Sequence, residues 1–224
     1  MTISISGYCP KTGQLGIAIS SSSIAVGQRC PWIYPEIGAV SSQNVTLPSL
    51  GPAVLEALKQ GKSAEQALAT VIDQEPYRDF RQVTVIDFSG HSAVWSGAQT
   101  LGVWHSSQGE ACVAAGNMLA NQQVTDVAIR AFMQLDGELA ERLLGALEAA
   151  IKAGGEAGPV HSAALKVYGD QPWPLTDLRV DWSDSDPSVV LRQLWQQWQP
   201  QQQDYLQRAL DPRCAPRYGV PGNE

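Results

Sequence analysis

The sequence predicts an α+β fold, a four-layer α-β-β-α sandwich in which two mainly antiparallel sheets face each other and helices cover both outer sides. Three observations predict it. The apolar period runs strands, two helices, strands, two helices, strands along the 224 residues. The strand signals arrive in groups joined by Pro, Gly and Ser turns, as antiparallel hairpins do. The helices are inserted as pairs, whereas a parallel sheet needs one crossover helix between successive strands.

Residues 2–8 alternate Ile3 and Ile5 with Ser4 and Ser6, and residues 15–24 alternate less strictly. Between them "CPKTGQ" supplies a Pro- and Gly-containing turn, so the two segments form a hairpin. A turn centred near Lys11–Thr12 places Thr2 opposite Ser21 to within a residue or two, within the run Ser20 to Ser23, and gathers hydroxyls around the start of the chain. "IGAVSSQNV" reads as a third strand. "LPSLGPAVLEALKQG" reads as a helix with Pro early and Gly at its end, and "SAEQALATVIDQ" as a second helix opened by a Ser63–Gln66 capping box.

The period then switches to two. "RQVTVIDFSGHSAVWSGAQ" is a hairpin around Ser89–Gly90, and "EACVAAGNML" is a strand ending at Gly116–Asn117. Two helices follow, at 122–136 and at 139–155, the second stopped by Gly154–Gly155. Strands return at "HSAALKVYG" and "TDLRVDWS". The last helix, 186–210, is interrupted at Pro200, and the Pro/Gly-rich tail after it is expected to be extended. This organisation divides into 1–182, the sandwich, and 183–224, a C-terminal helix and tail packed on that domain or on a partner subunit, with Trp195 and Trp198 as anchors.

Composition limits the function. The net charge of −7 and the scattered basic residues exclude the electrostatic footprint of a nucleic-acid binder. No stretch approaches the roughly 18 consecutive apolar residues of a membrane span. Without a basic segment followed by an apolar one at its N-terminus, the chain is expected in the cytoplasm. Cys9, Cys30, Cys112 and Cys214 are far apart and read as buried reduced thiols. His91, His105 and His161 show no metal-ligand spacing, and no metal or cofactor is expected.

A threonine hydroxyl is a weak nucleophile unless a base lies beside it, and a threonine at the start of a chain carries one in its own α-amine. With a pKa of about 7.7–8.0, that amine is partly unprotonated near neutral pH. Thr2 acquires a free amine once Met1 is removed, and a small second residue permits the removal. A strand that starts at once, a facing strand rich in hydroxyls and the α-β-β-α order together point to a catalytic Thr2.

"GIAISSSSIAVGQRCPW", "GAVSSQNVTLPSLGP", "FRQVTVIDFSG", "AAGNMLAN", "LAERLLGALEAAIKAGGEAGPVHSAAL", "PLTDLRVDW" and "RALDPRCAPRYGVPG" occur in this order over nearly the whole chain. On these segments it resembles domain-of-unknown-function family 1028 (DUF1028), whose fold is similar to that of the N-terminal nucleophile (Ntn) hydrolases. The resemblance implies that fold and a hydrolase ancestry. Many relatives carry Lys near the position of Ser22, so here Arg29 or His161 would have to tune the amine.

Acyl transfer also needs donors for the developing oxyanion, for which Asn44 and Asn117 at strand ends are candidates. Glu156 and His161, around a strand start, could form an acid/base pair. Ser21, Ser22, Arg29 and Gln43 are candidates for substrate binding, Arg29 through two parallel bonds to a carboxylate. The resulting expectation is an amidohydrolase acting on a non-peptide C–N bond, amide or ureide, of a small polar metabolite. Its alternatives are an inactive binding or scaffold protein on the same fold and an enzyme built on Glu156 and His161. The aromatic last helix adds the expectation of a homodimer.

Overall fold

Hairpin geometry governs the centre of the protein, whose computed structural model describes residues 1–221. Strands β1 (Thr2–Cys9) and β2 (Gln14–Ser21) pair antiparallel with Thr2 opposite Ser21, as the position of the turn requires. A short helix α1 (Val26–Arg29) leads to β3 (Pro31–Tyr34) and β4 (Gly38–Asn44). Helices α2 (Leu50–Lys59) and α3 (Ala64–Ile72) follow, then β5 (Arg81–Asp87), β6 (Ser92–Ser96), β7 (His105–Gly109) and β8 (Cys112–Asn117). The second helical pair is α4 (Gln123–Gln134) and α5 (Leu139–Lys152). Then come β9 (Ser162–Tyr168), β10 (Thr176–Val180), α6 (Pro187–Trp198) and α7 (Gln202–Leu210), with a 3-10 turn containing Pro200 between the last two.

The strands form a six-stranded sheet in the order β10-β9-β2-β1-β8-β7 and a four-stranded sheet in the order β3-β4-β5-β6, all pairs antiparallel. Side chains alternate between faces along each strand. Ile3 and Ile5 therefore pack with Phe132, Leu139, Leu143 and Leu147 of α4 and α5, one outer layer. Val40, Val83 and Val85 pack with Leu55 of α2 and Leu68 of α3, the other outer layer. Leu15, Ile17, Ile19, Ile33, Ala39, Ile86 and Val113 fill the space between the sheets. This is the α-β-β-α sandwich expected from the order of elements.

Ser63 caps α3, accepting from the Gln66 N–H at 3.3 Å while Gln66 Oε1 accepts from the Ser63 N–H at 3.1 Å. Such a box stabilises a helix start by about 1 kcal/mol. Trp195 of α6 is fully buried in the α4–α5 layer and donates to Glu141 at 2.7 Å, while Trp198 donates to the Leu175 carbonyl at 3.1 Å.

The structure differs from the sequence reading in several places, among them the helix expected at 139–155, which ends at Lys152. Strands β3 and β7 and helix α1 were not expected; the two strands lie at sheet edges, where apolar alternation is weak. β2 ends at Ser21 rather than continuing to residue 24. The helix expected at 122–136 covers Gln123–Gln134. Cys214 is exposed, unlike the other three cysteines, because it lies in the tail beyond α7. The part of the tail at residues 222–224 lies outside the described residues.

Candidate active site at the start of the central strand

Thr2 begins β1 between two partner strands, opposite Ser21 of β2 on one side and Asn117 of β8 on the other. Its side chain is buried. By strand alternation Thr2 shares a face with Ser4 and Ser6, opposite to Ile3 and Ile5, and this face meets the second sheet. Thr2 Oγ1 donates to the Met1 carbonyl oxygen at 2.7 Å and lies 3.2 Å from Ser21 Oγ. Ser21 Oγ also donates to the Met1 carbonyl, at 2.6 Å, and the Ser22 N–H reaches the same oxygen at 3.3 Å. Ser21 is 2.9 Å from Ser23 Oγ, which accepts from the Arg29 guanidinium at 2.7 Å. Arg29 also donates to the Ile24 carbonyl oxygen. A chain of polar contacts thus runs from Arg29 to the Thr2 hydroxyl.

Below Thr2 the space between the sheets is polar. Ser4 and Ser41 donate to Gln43 Oε1 at 2.7 and 3.1 Å, and Gln43 Nε2 donates to Gln82 Oε1 at 2.8 Å. Gln82 Oε1 also accepts from Asn117 Nδ2 at 3.1 Å, and Gln82 Nε2 donates to Ser96 and to the Gly116 carbonyl. Both glutamines are fully buried, so each bond replaces one that water would otherwise make. The network holds Asn117 with its amide N–H toward Gln82 and leaves Asn117 Oδ1 without a partner among the described residues.

Glu156 reaches the site from the helical layer. Gly154 and Gly155 after α5 have φ of +126° and +61°, the region glycine enters without steric cost, and they turn the chain back toward the sheet. The segment is then pinned by an antiparallel bridge between Glu156 and Leu119. Glu156 is 8% exposed; its Oε1 accepts from Ser20 Oγ at 2.9 Å and its Oε2 has no hydrogen-bond partner. Burial pushes its pKa up to about 7, against the opposing pull of the Ser20 bond, the positive Met1 ammonium and the Ser22 N–H. The Met1 ammonium donates to Ser22 Oγ at 3.1 Å. Burial lowers its pKa, partly offset by the Glu156 charge.

Of the residues singled out from sequence, Thr2, Ser21, Ser22, Asn117 and Glu156 gather around Met1 and the start of β1, with Gln43 beneath and Arg29 at the outer end of the serine chain. Asn44 does not join them: at φ +71° its amide donates to the Phe80 carbonyl at 2.7 Å and accepts from the Leu101 N–H at 3.3 Å, bracing a loop. Nor does the ring of His161 pair with Glu156. It stacks on Trp182 with centroids 4.2 Å apart, and its Nδ1 contacts the Ser183 carbonyl at 2.9 Å. From sequence Gln82 has only a weaker claim than Asn44 or Asn117 as an oxyanion donor, whereas the structure puts it at the centre of the network beneath Thr2; the Ser22 N–H was missed because backbone donors leave no mark in a sequence. Among the described residues no group of three or more His, Cys, Asp or Glu side chains is placed to hold a metal ion, and no helix is long and apolar enough to cross a membrane.

Comparison with known proteins gives a family match and similar solved structures. The model of a family described as "Family of unknown function (DUF1028)" matches residues 2–191. The crystal structure of protein SPO2555 from Silicibacter pomeroyi, described with the same family, is 32% identical, with a TM-score of 0.82 over 88% of this chain and 85% of that one. Anbu, the ancestral beta-subunit, from Yersinia bercovieri matches at 11% identity and a TM-score of 0.40, covering 87% of this chain and 93% of its own. Anbu from Hyphomicrobium sp. strain MC1 matches at 11% and 0.41, covering 98% and 100%. No curated protein matches the chain.

Proposed function

The chain belongs to the DUF1028 family, and on that footing we propose that it is an Ntn-type hydrolase of a non-peptide C–N bond, amide or ureide, in a small polar metabolite. Thr2 is the nucleophile once Met1 has been removed. The observation that carries this reading is the Thr2 hydroxyl, buried at the first position of the central strand and 3.2 Å from Ser21 Oγ.

The free Thr2 amine takes the hydroxyl proton as Oγ1 attacks the substrate carbonyl. The tetrahedral oxyanion is met by Ser21 Oγ and the Ser22 N–H, both of which point at the Met1 carbonyl oxygen when that residue is present. Collapse expels the nitrogen, which leaves as an amine after receiving the proton from the Thr2 ammonium. Water, deprotonated by the same amine, cleaves the Thr2 ester, releases the acid and restores the hydroxyl. The reaction so written uses no cofactor. Asn117 supports it from the other flank by holding the Gln82 network in register with Thr2.

The test pairs an intact-mass measurement on protein from its native host with a screen for ammonia or amine release from small amides and ureides, using Thr2→Ala as control. Loss of Met1 together with a release that falls at least about a thousandfold in Thr2→Ala supports the reading, since the nucleophile is then gone. Met1 retained throughout, or Thr2→Ala as active as the parent, refutes it. The alternative of a binding protein on the same fold has one observation in its favour: with Met1 in place its amine is already held by Ser22.

A further inference from the structure

Met1 sits directly against the Thr2 hydroxyl, and the contacts it makes describe the surroundings that an acyl group at Thr2 would meet. Its carbonyl oxygen accepts from Thr2 Oγ1, Ser21 Oγ and the Ser22 N–H. Its ammonium donates to Ser22 Oγ at 3.1 Å. Its side chain lies on Gly158, so closely that a Cβ added there would come within 2.9 Å of the Met1 methyl carbon. Two residues before Gly158 stands Glu156, more than nine-tenths buried, with Oε2 unpartnered and a charge felt by the Met1 ammonium.

The acyl carbon of Met1 is bonded to the Thr2 nitrogen, whereas that of a substrate would be bonded to Thr2 Oγ1. These two atoms belong to one residue, and an acyl group passes between them through a five-membered ring. The position of Met1 therefore approximates that of an acyl group on the hydroxyl.

We infer that, after Met1 leaves, the site takes substrates whose acyl part carries a free α-amino group and a short unbranched apolar side chain. Glu156 and Ser22 Oγ receive the ammonium, Ser21 Oγ and the Ser22 N–H receive the carbonyl oxygen, and the surface of Gly158 receives the side chain. The substrate class is the α-aminoacyl amides. This inference rests on the hydrolase reading for the identity of the nucleophile, but its recognition step can be measured separately. A buried carboxylate with an unpaired oxygen is costly unless an occupant supplies the missing donor; the Met1 ammonium acts on Glu156 only through its charge and bonds Ser22 Oγ instead, so the donor for Oε2 is left to an ammonium not tethered through the Thr2 nitrogen.

The experiment uses protein whose first residue is Thr2, obtained by cleaving an N-terminal fusion, and two probes, L-methioninamide and N-acetyl-L-methioninamide. Calorimetric titration into the Thr2→Ala form, which separates binding from turnover, should show the first probe binding on the order of 10- to 100-fold more tightly than the second, the scale of one charged hydrogen bond. Glu156→Gln should remove that difference by weakening only the first. Gly158→Val should weaken both, because the seat of the side chain is filled. Equal binding of the two probes to the Thr2→Ala form, or binding of neither at millimolar concentration, overturns the inference without requiring the Glu156 or Gly158 variants.

Turnover distinguishes this failure from failure of the hydrolase reading. If both probes are hydrolysed alike and Thr2 is required, the nucleophile stands and the amine subsite falls. If L-methioninamide binds through Glu156 while ammonia release does not depend on Thr2, the subsite stands and the hydrolase reading falls.

Discussion

Replacing Glu156 by glutamine in the chain that retains Met1 is expected to lower stability slightly at pH 4.5 and to raise it at pH 8. The carboxyl has an ordinary pKa of 4.5 and is pushed up to about 7 in the folded protein, chiefly by burial. Below pH 4.5 both folded and unfolded chains hold the proton and the group contributes nothing. Between pH 4.5 and about 7 the unfolded chain releases it while the folded chain keeps it, so stability falls by up to about 1.4 kcal/mol per pH unit and is lower by roughly 3 kcal/mol above that window. Glutamine does not titrate, but it puts an amide N–H where Oε2 has no partner, at a cost of about 1 kcal/mol at every pH. The variant should therefore be about 1 kcal/mol less stable at pH 4.5 and about 2 kcal/mol more stable at pH 8. For a chain of this size the latter raises Tm by roughly 4–8 °C. The Met1 ammonium, its pKa lowered by burial, acts in the opposite direction just below pH 8, where the unfolded chain binds the extra proton and stability rises with pH. Glu156 partly offsets that lowering, so the variant's Met1 contribution is somewhat larger near pH 8, and the fall between pH 4.5 and 7 is the part of the difference that reports on Glu156. Thermal unfolding by circular dichroism from pH 4.5 to 8 measures it. Parallel curves for the two proteins would show that Glu156 is not held protonated by its surroundings and would refute the reasoning.

Three further outcomes are expected. Gln82→Ala removes four hydrogen bonds from the layer between the sheets and leaves Asn117 Nδ2 without its Gln82 acceptor; urea unfolding should show a loss of about 2–4 kcal/mol, and a loss below about 1 would mean that water replaces the side chain. A thiol reagent should modify one cysteine per chain, Cys214, in the native protein and all four after unfolding, whereas rapid native reaction of more than one would contradict the burial of Cys9, Cys30 and Cys112. Light scattering should give twice the chain mass of 24.1 kDa, as the exposed Trp173, Tyr205 and Leu210 suggest, and a species of 24.1 kDa alone at micromolar concentration would exclude the homodimer.

Much of the scaffold was legible because it is local. The Ser63–Gln66 box, the hairpin at Ser89–Gly90 and the break at Pro200 each depend on residues a few positions apart, and each forms where the chemistry of capping, turns and proline places it. The edge strands were not legible for the same reason in reverse. β7, "HSSQG", has no apolar alternation, and β3 begins with Pro31; both are strands only because a neighbour offers a ladder to join. Asn44 and His161 looked like site residues by type, yet a left-handed turn ties one to Phe80 and a stacked Trp182 holds the other.

At the site itself, the sequence alone determined that Thr2 faces the serine run Ser20 to Ser23, since a hairpin's turn sets its register to within a residue or two, and that Thr2, Ser4 and Ser6 share one face, since strand side chains alternate; the ladder makes Ser21 the partner. Only the tertiary structure decided what that face meets. Ser4 finds Gln43 across 39 residues of chain, and Ser20 finds Glu156 across 136. Those partners follow from how two sheets and a helical layer stack, and no period of two or of 3.6 within a strand or helix encodes the stacking of one on another.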